Sequence, residues 1–252
     1  MPKKVILLTG SSGDIGNSIA ELYSKDDYKV ICIDKVFKRS KHIKNSCYIE
    51  CDLNKFVNVK DYKDKVIKEI NSVIPNDIEK LILINNAAIQ NLGPVDDLQL
   101  DDWNLSLSIN AAAPFFLVQA FLKSLIENNG HVINISSIHA KLSKANFTFY
   151  AASKSALESI TRSLATELSS RGVIFNAISP AAINTSMLQS SFSNSNKAIE
   201  DLKKFHPTKT IGSPTQLAQL VKAITDLDCK FLSGSVIDFS GGIINVLHDP
   251  DA

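Results

Sequence analysis

Tyr150 and Lys154 bracket the segment Tyr150-Ala151-Ala152-Ser153-Lys154, and Ser137 lies upstream of them. Four positions along a helix bring two side chains to the same face, so this spacing sets an ammonium beside a phenol. A free tyrosine titrates near about pH 10. Working as a proton exchanger near neutrality takes about 3 pKa units, or about 4 kcal/mol, of differential stabilisation. A fixed lysine charge acts in that direction. The chemistry on offer is general acid/base exchange with an alcohol or a carbonyl. Tyr and Lys also fall at this spacing on many solvated helices, so the pair gains meaning only from the elements that hold it.

The chain that must hold it has 252 residues, enough for one large α/β domain or two small ones. Hydrophobic content of 44% and charged content of 21% are those of an ordinary soluble protein. A net charge of +1 gives no reason to expect nucleic acid or an acidic membrane surface as partner. Cys32, Cys47, Cys51 and Cys229 form no CxxC pair and have no accompanying histidine spacing, so reduced thiols are expected and no metal site. No apolar run is expected to reach the length of a membrane span. Met1-Pro2-Lys3-Lys4 runs straight into a strand pattern without a cleavage region, which points to a cytoplasmic protein.

Short apolar runs alternate with helical stretches throughout. Val5–Leu8, Lys29–Ile33, Leu81–Ile84, His131–Ile135, Val173–Ile178 and Val236–Phe239 read as strands, with a shorter one at Cys47–Glu50. Their near-continuous apolar character suits a parallel sheet covered on both faces. Helices are expected at 15–25, 58–73, 101–127, 150–170 and 214–227, the third of these open to a kink or division at Pro114. This strict alternation predicts a doubly wound parallel sheet in a single domain over 1–252. From Ser186 to Ser213 the chain is rich in Ser, Asn and Lys, with a short helix near Lys197–Phe205. It reads as a surface loop, a lid over a site, or both.

Thr9-Gly10-Ser11-Ser12-Gly13-Asp14-Ile15-Gly16 follows the first strand and opens the first helix. Glycines there permit a tight turn, and free N–H groups with the helix dipole suit a pyrophosphate. Asp34, directly after the second strand, is placed to accept from the adenosine ribose hydroxyls and to repel a ribose 2′-phosphate, favouring NAD over NADP. Against it stand Lys35, Lys38, Arg39, Lys41 and Lys44, which either recruit that phosphate or form a solvated loop.

Together with Cys51-Asp52-Leu53, Asn85-Asn86-Ala87-Ala88, Asn110, Ser179-Pro180-Ala181-Ala182 through Thr185, and Gly241-Gly242, these residues make the chain resemble the short-chain dehydrogenase/reductase family, in its short single-domain form, over essentially its whole length. The resemblance implies an α/β fold, a Rossmann-like doubly wound parallel sheet with helices on both faces. It assigns cofactor binding to Gly10, Ser12, Asp14, Ile15, Gly16, Asp34, Asp52, Leu53, Asn86, Ala87, Tyr150, Lys154, Ile183 and Thr185. Asp52 would accept from the adenine amino group, and Ile183 and Thr185 would hold the carboxamide side of nicotinamide. Tyr150 would be the proton donor or acceptor, and Lys154 would bind the nicotinamide ribose and lower the tyrosine pKa. Ser137 would hold the substrate oxygen, and Asn110 would carry a proton relay through water. Each has a bland counterpart: Asn110 as a buried helix polar residue, Ser137 as a strand-end cap, Asp52 as a helix N-cap.

Three residues depart from the family pattern. Asp14 and Ala88 stand where glycine is usual, and Ala182 stands near the glycine that usually follows Pro180. The Asp14 carboxylate is expected to face solvent, because pointing inward it would repel a pyrophosphate. The function implied is NAD(P)-dependent interconversion of a secondary alcohol and a carbonyl on a small or medium polar substrate. Alternatives are a sugar or nucleotide-sugar oxidoreductase, and a dinucleotide-binding sensor without turnover. A homodimer or homotetramer is implied, pairing through the helices near 101–127 and 150–170. Leu157, Ile160 and Leu164 serve either that contact or the monomer's own core.

Overall fold

The computed structural model describes residues 3–37, 43–193, 195–227 and 229–247. Seven strands form one sheet: β1 Lys4–Thr9, β2 Tyr28–Asp34, β3 Ser46–Glu50, β4 Lys80–Asn85, β5 His131–Ile135, β6 Ile174–Pro180 and β7 Ser235–Phe239. All pair in parallel in the order β3-β2-β1-β4-β5-β6-β7. The chain therefore reverses its winding between β1 and β4. In open sheets of this kind, ligands lie at that point, beyond the carboxyl ends of the strands.

Strand side chains alternate between two apolar layers. Val5, Leu7, Ile31, Leu83, Val132 and Phe175 enter one core with helical residues such as Phe56, Ile70, Phe121 and Leu164. Ile6, Leu8, Val30, Ile84, Ile133 and Ile178 enter the other with Ile19, Tyr23, Leu217 and Val221. Helices cover both layers: α1 Asp14–Ser24, α2 Leu53–Asn58, α3 Lys60–Val73, α4 Leu100–Leu107, α5 Ala113–Glu127, α6 Thr148–Leu168, α7 Ser186–Ser191, α8 Asn196–Phe205 and α9 Pro214–Asp226. Leu157 and Leu164 are buried within the chain, so two of the three residues in that stripe serve its own core.

The expected helix over 101–127 is continuous across Leu100–Glu127, but its middle, Ser108–Ala112, is π-helical. There the Ala113 N–H bonds to the Ser108 carbonyl, one residue further back than in an α-helix. Pro114 follows at the start of α5; it has no N–H to return to Asn110, and the wider turn absorbs the mismatch. By length and composition this helix is apolar enough to cross a membrane, which corrects the expectation that no stretch reaches such a length. Ala113, Leu117, Val118, Phe121 and Leu125 are buried and belong to the first core layer. Two helices escaped the sequence reading, α2 and α7, each six residues long and set by a polar N-cap rather than by apolar periodicity.

A buried polar relay ties α6 to the sheet. Asn85 and Asn134 are register partners on β4 and β5; Asn85 Nδ2 donates to Asn134 Oδ1 at 2.8 Å. Asn134 Nδ2 in turn donates to Thr161 Oγ1 at 2.8 Å. These bonds help fix the rotation of the helix that carries Tyr150 and Lys154.

Candidate active site

Tyr150 lies in the first turn of α6 and is 7% exposed; Lys154, one turn on, is 2% exposed. Ser137 stands just beyond β5, where its Oγ accepts from the His139 N–H at 3.3 Å and caps a short 3-10 turn, Ile138–Ala140. The same side chain hydrogen-bonds the Tyr150 hydroxyl, so it is both a cap and a neighbour of the phenol. A second partner of that hydroxyl is Gln90, which the sequence reading missed. No motif marks Gln90; it reaches the phenol only because the loop after β4 passes over α6.

Burial pushes the Tyr150 phenol above its ordinary value, while the bonds to Gln90 and Ser137 pull it down. Lys154 Nζ donates to the Ile135 carbonyl at 2.7 Å and sits 5.9 Å from the Tyr150 ring centroid. Burial brings the lysine itself down to about 7, with Glu158 acting in the opposite sense. The expectation of a depressed phenol is thus reversed in the protein by itself: desolvation outweighs the hydrogen bonds, and the ammonium is anchored to backbone rather than to the phenol. His139 and Phe147 wall this side, with ring centroids 6.1 and 6.2 Å from that of Tyr150.

Asn110 is fully buried in the π-helical turn. Its Oδ1 accepts from the Ile89 N–H, and its Nδ2 donates to the Ile89 carbonyl and to Ser153 Oγ, each at 2.9 Å. Ser153 Oγ donates to the Tyr150 carbonyl at 2.8 Å. The side chain expected to relay protons is therefore a brace between the β4 loop and α6.

At the other end of the cleft, Gly10 turns the chain with φ +64°, and a Cβ there would lie 2.7 Å from Ala87 Cα. A Cβ on Gly16 would lie 2.1 Å from the Gly10 carbonyl oxygen, so the turn and α1 close on each other only with glycine there. Asn86 Nδ2 donates to the Thr9 and Gly10 carbonyls at 3.2 and 3.0 Å, which makes Asn86 a strut under the turn. Gly13, the N-cap of α1, offers no side-chain bond. Its first N–H groups thus lack the usual side-chain acceptor, a cradle that fits the pyrophosphate of a dinucleotide. Asp34 stands beside this turn: Oδ2 accepts from the Ser12 N–H at 2.8 Å and Oδ1 from the Lys35 N–H at 2.7 Å. Asp14, Ala88 and Ala182 all keep φ out of the positive range, so losing glycine at these positions strains no backbone.

Asp14 is exposed, as expected, but not free. Its Oδ2 accepts from the Ser186 N–H at 2.6 Å and from Ser186 Oγ at 2.7 Å. The turn is thereby clasped to the start of α7, the opening of the polar 186–213 segment. Thr185 Oγ1 caps α7 by accepting from the Leu188 N–H at 3.2 Å, and Ile183 is buried, forming a parallel bridge with Gly212.

Asp52 performs the N-cap role for α2, its Oδ1 accepting from the N–H groups of Asn54 and Lys55, while Leu53 is buried behind it. Oδ2 lies 2.9 Å from Lys35 Nζ. Burial alone would raise the Asp52 carboxyl, but the bonds from Lys35 and from backbone N–H groups hold it below the ordinary range. Lys35 is thus tied down; Lys38, Arg39 and Lys41 of the same basic segment lie outside the described residues. The four cysteines are free thiols, with Cys32 and Cys51 buried and pushed up to about 12 by that burial.

Comparison with known proteins gives the family and the fold. The family model described as short chain dehydrogenase matches residues 4–196. The 3-oxoacyl-(acyl-carrier-protein) reductase FabG of Buchnera aphidicola subsp. Baizongia pistaciae (strain Bp) is 27% identical over 251 residues, covering 96% of this chain and 97% of that protein. Among solved structures, a 4-hydroxyisoleucine dehydrogenase complexed with NADH superposes with a TM-score of 0.85 at 24% identity, covering 97% of this chain and 100% of the other. ElxO with NADP bound superposes with a TM-score of 0.82 at 24% identity, with the same coverage.

Proposed function

Since this chain belongs to the short-chain dehydrogenase family, we propose that it interconverts a secondary alcohol and a carbonyl on a small or medium polar substrate, with NAD as the favoured dinucleotide. The observation that carries this reading is the buried hydroxyl of Tyr150, held beside Ser137 with Lys154 one turn behind it. Gly10, Ser12, Ile15, Gly16 and the backbone of Asp14 would hold the pyrophosphate, Asp34 the adenosine ribose, and Asp52 with Leu53 the adenine. Asn86 and Ala87 would line the ribose, and Ile183 and Thr185 the carboxamide. When bound, the nicotinamide gives a hydride in reduction and takes one in oxidation.

The chain's own residues supply position and a proton. In reduction, Tyr150 Oη donates its proton to the carbonyl oxygen while Ser137 Oγ hydrogen-bonds the same oxygen; in oxidation the proton moves back. Because burial keeps the phenol protonated, Tyr150 is set as a donor until a second cation joins Lys154 beside it. The Asn110 side chain is fully engaged, so a relay to water would run through its backbone carbonyl, the group that Pro114 cannot bond. The polar 186–213 segment would close over the substrate, and the partly buried apolar residues Phe115, Phe116 and Ile160 suit a homodimer or homotetramer contact.

Tyr150→Phe tests the reading. Assayed with NADH against a panel of ketones, keto-sugars and oxo-acids, the wild-type protein turns over and the variant loses at least about 100-fold in kcat, with NADH affinity little changed. Full activity in the variant would remove Tyr150 from the mechanism. NADH binding by the wild-type protein without transfer to any acceptor would favour a sensor.

A further inference from the structure

Behind the phenol and the ammonium stands a third ionisable group that the chemistry above leaves unused. Tyr150, Lys154 and Glu158 follow one another at four-residue steps on α6, and Glu158 is 3% exposed. A carboxylate is retained so far from water only at a cost, unless something holds it. Ser136 Oγ donates to Glu158 Oε1 at 3.0 Å, and Arg162 Nη1 lies 3.7 Å from Glu158 Oε2. Lys154 and Glu158 are thus fastened to adjacent residues, Ile135 and Ser136, at the end of one strand.

Resting on the Tyr150–Lys154 reading, we propose that Glu158 is a positioning residue: its buried carboxylate keeps Lys154 charged, and Arg162 sets how strongly it does so. Like charges in a ladder would drive one member neutral, whereas a negative group behind a buried ammonium favours its charged form. Burial of Lys154 is the opposing force, and Glu158 is the charge that acts against it. Other ionisable groups on elements packed against α6 are spoken for or remote. Asp238 on β7 pairs with Lys141, and Asp102 on α4 bonds the Gln99 N–H. Asp101 and Arg171 are exposed, His139 stacks on Phe147, and His131 lies at the opposite end of β5. Arg162 is different. Its side chain is 55% exposed and its guanidinium lies 3.7 Å from the Glu158 carboxylate, so it opposes the charge that Glu158 presents to Lys154.

The test uses NADH itself, titrated by fluorescence between pH 6 and 9. Affinity falls as Lys154 loses its proton, with a midpoint that Lys154→Met abolishes. Glu158→Gln keeps an acceptor for Ser136 and moves that midpoint down by about one pH unit, a roughly tenfold loss of affinity on the falling limb. Arg162→Gln, at an exposed position that does not threaten folding, moves it up. A purely structural Glu158 would lower affinity evenly and leave the midpoint in place, and unmoved midpoints in both variants would overturn the proposal. A wild-type titration lacking the Lys154-dependent midpoint would instead overturn the Tyr150–Lys154 reading on which it rests.

Discussion

Replacing Asp34 by Asn should convert the protein from discriminating against NADPH to accepting it. Both carboxylate oxygens of Asp34 bond backbone N–H groups, those of Ser12 and Lys35, and among the described residues no side-chain cation pairs with them. The adjacent cation, the Lys35 ammonium, lies 2.9 Å from Asp52 instead. A 2′-phosphate dianion placed about 5 Å from a unit negative charge meets a repulsion of about 2 kcal/mol in bulk water and about 3 kcal/mol at half that dielectric constant. That is a penalty of about 20- to 200-fold in Kd. Asparagine keeps the shape and one acceptor but not the charge. Fluorescence titrations of both proteins with NADH and NADPH give the ratio of the two dissociation constants. The wild-type ratio favours NADH, and Asp34→Asn lowers it by about 20-fold or more while weakening NADH itself several-fold. An unchanged ratio, or a wild-type preference for NADPH, would refute the reasoning and hand selection to the basic 35–44 segment.

Two further outcomes follow from buried groups. Thr161→Val leaves Asn134 Nδ2 without its acceptor and should cost about 1–3 kcal/mol in urea unfolding; a loss under about 0.5 kcal/mol would show that the relay is not what ties α6 to the sheet. Lys154 titrates near 7 in the folded protein against 10.5 ordinarily, so between those values the unfolded chain holds the extra proton and stability rises with pH. Comparing unfolding at pH 7 and pH 9, the wild-type protein should gain on the order of 2 kcal/mol relative to Lys154→Met, and parallel pH dependences would contradict the buried-lysine account.

Sequence reasoning reached the sheet because a strand buried on both faces must be largely apolar, which the five inner runs show, while the edge strands β3 and β7 are only partly buried and carry Glu50 and Asp238. It reached the glycine turn for an equally physical reason: Gly10 and Gly16 stand where no Cβ fits. It missed α2 and α7, whose few residues carry no periodicity; Asp52 is legible as an N-cap, but the extent of the helix it opens is not, and nothing marks Thr185 as a cap. Framework roles for Asn110 and Asp52 are legible, but their partners are not. Asn110, Asn86 and Asp52 spend their polar atoms on bracing the framework, and that depends on partners remote in sequence, such as Ile89, Thr9 and Lys35. The sign of the Tyr150 shift was likewise hidden, since spacing shows a neighbouring charge but not the depth of burial. Glu158 was visible in principle, four residues beyond Lys154, but nothing in a helical repeat says that a glutamate faces inward.

The clasp between Asp14 and Ser186 has a consequence for how the molecule is made. The two residues are separated by 172 positions, and closing so long a loop carries an entropy cost that grows with the logarithm of its length. As the chain leaves the ribosome, β1 and α1 emerge almost at once, while the partner of Asp14 appears only after β6. A half-synthesised chain therefore carries a glycine turn whose acidic residue has nothing to hold. Ser186 arrives once β4, β5 and β6 have been made but before β7, so these two bonds join the first turn to a sheet that still lacks its last strand.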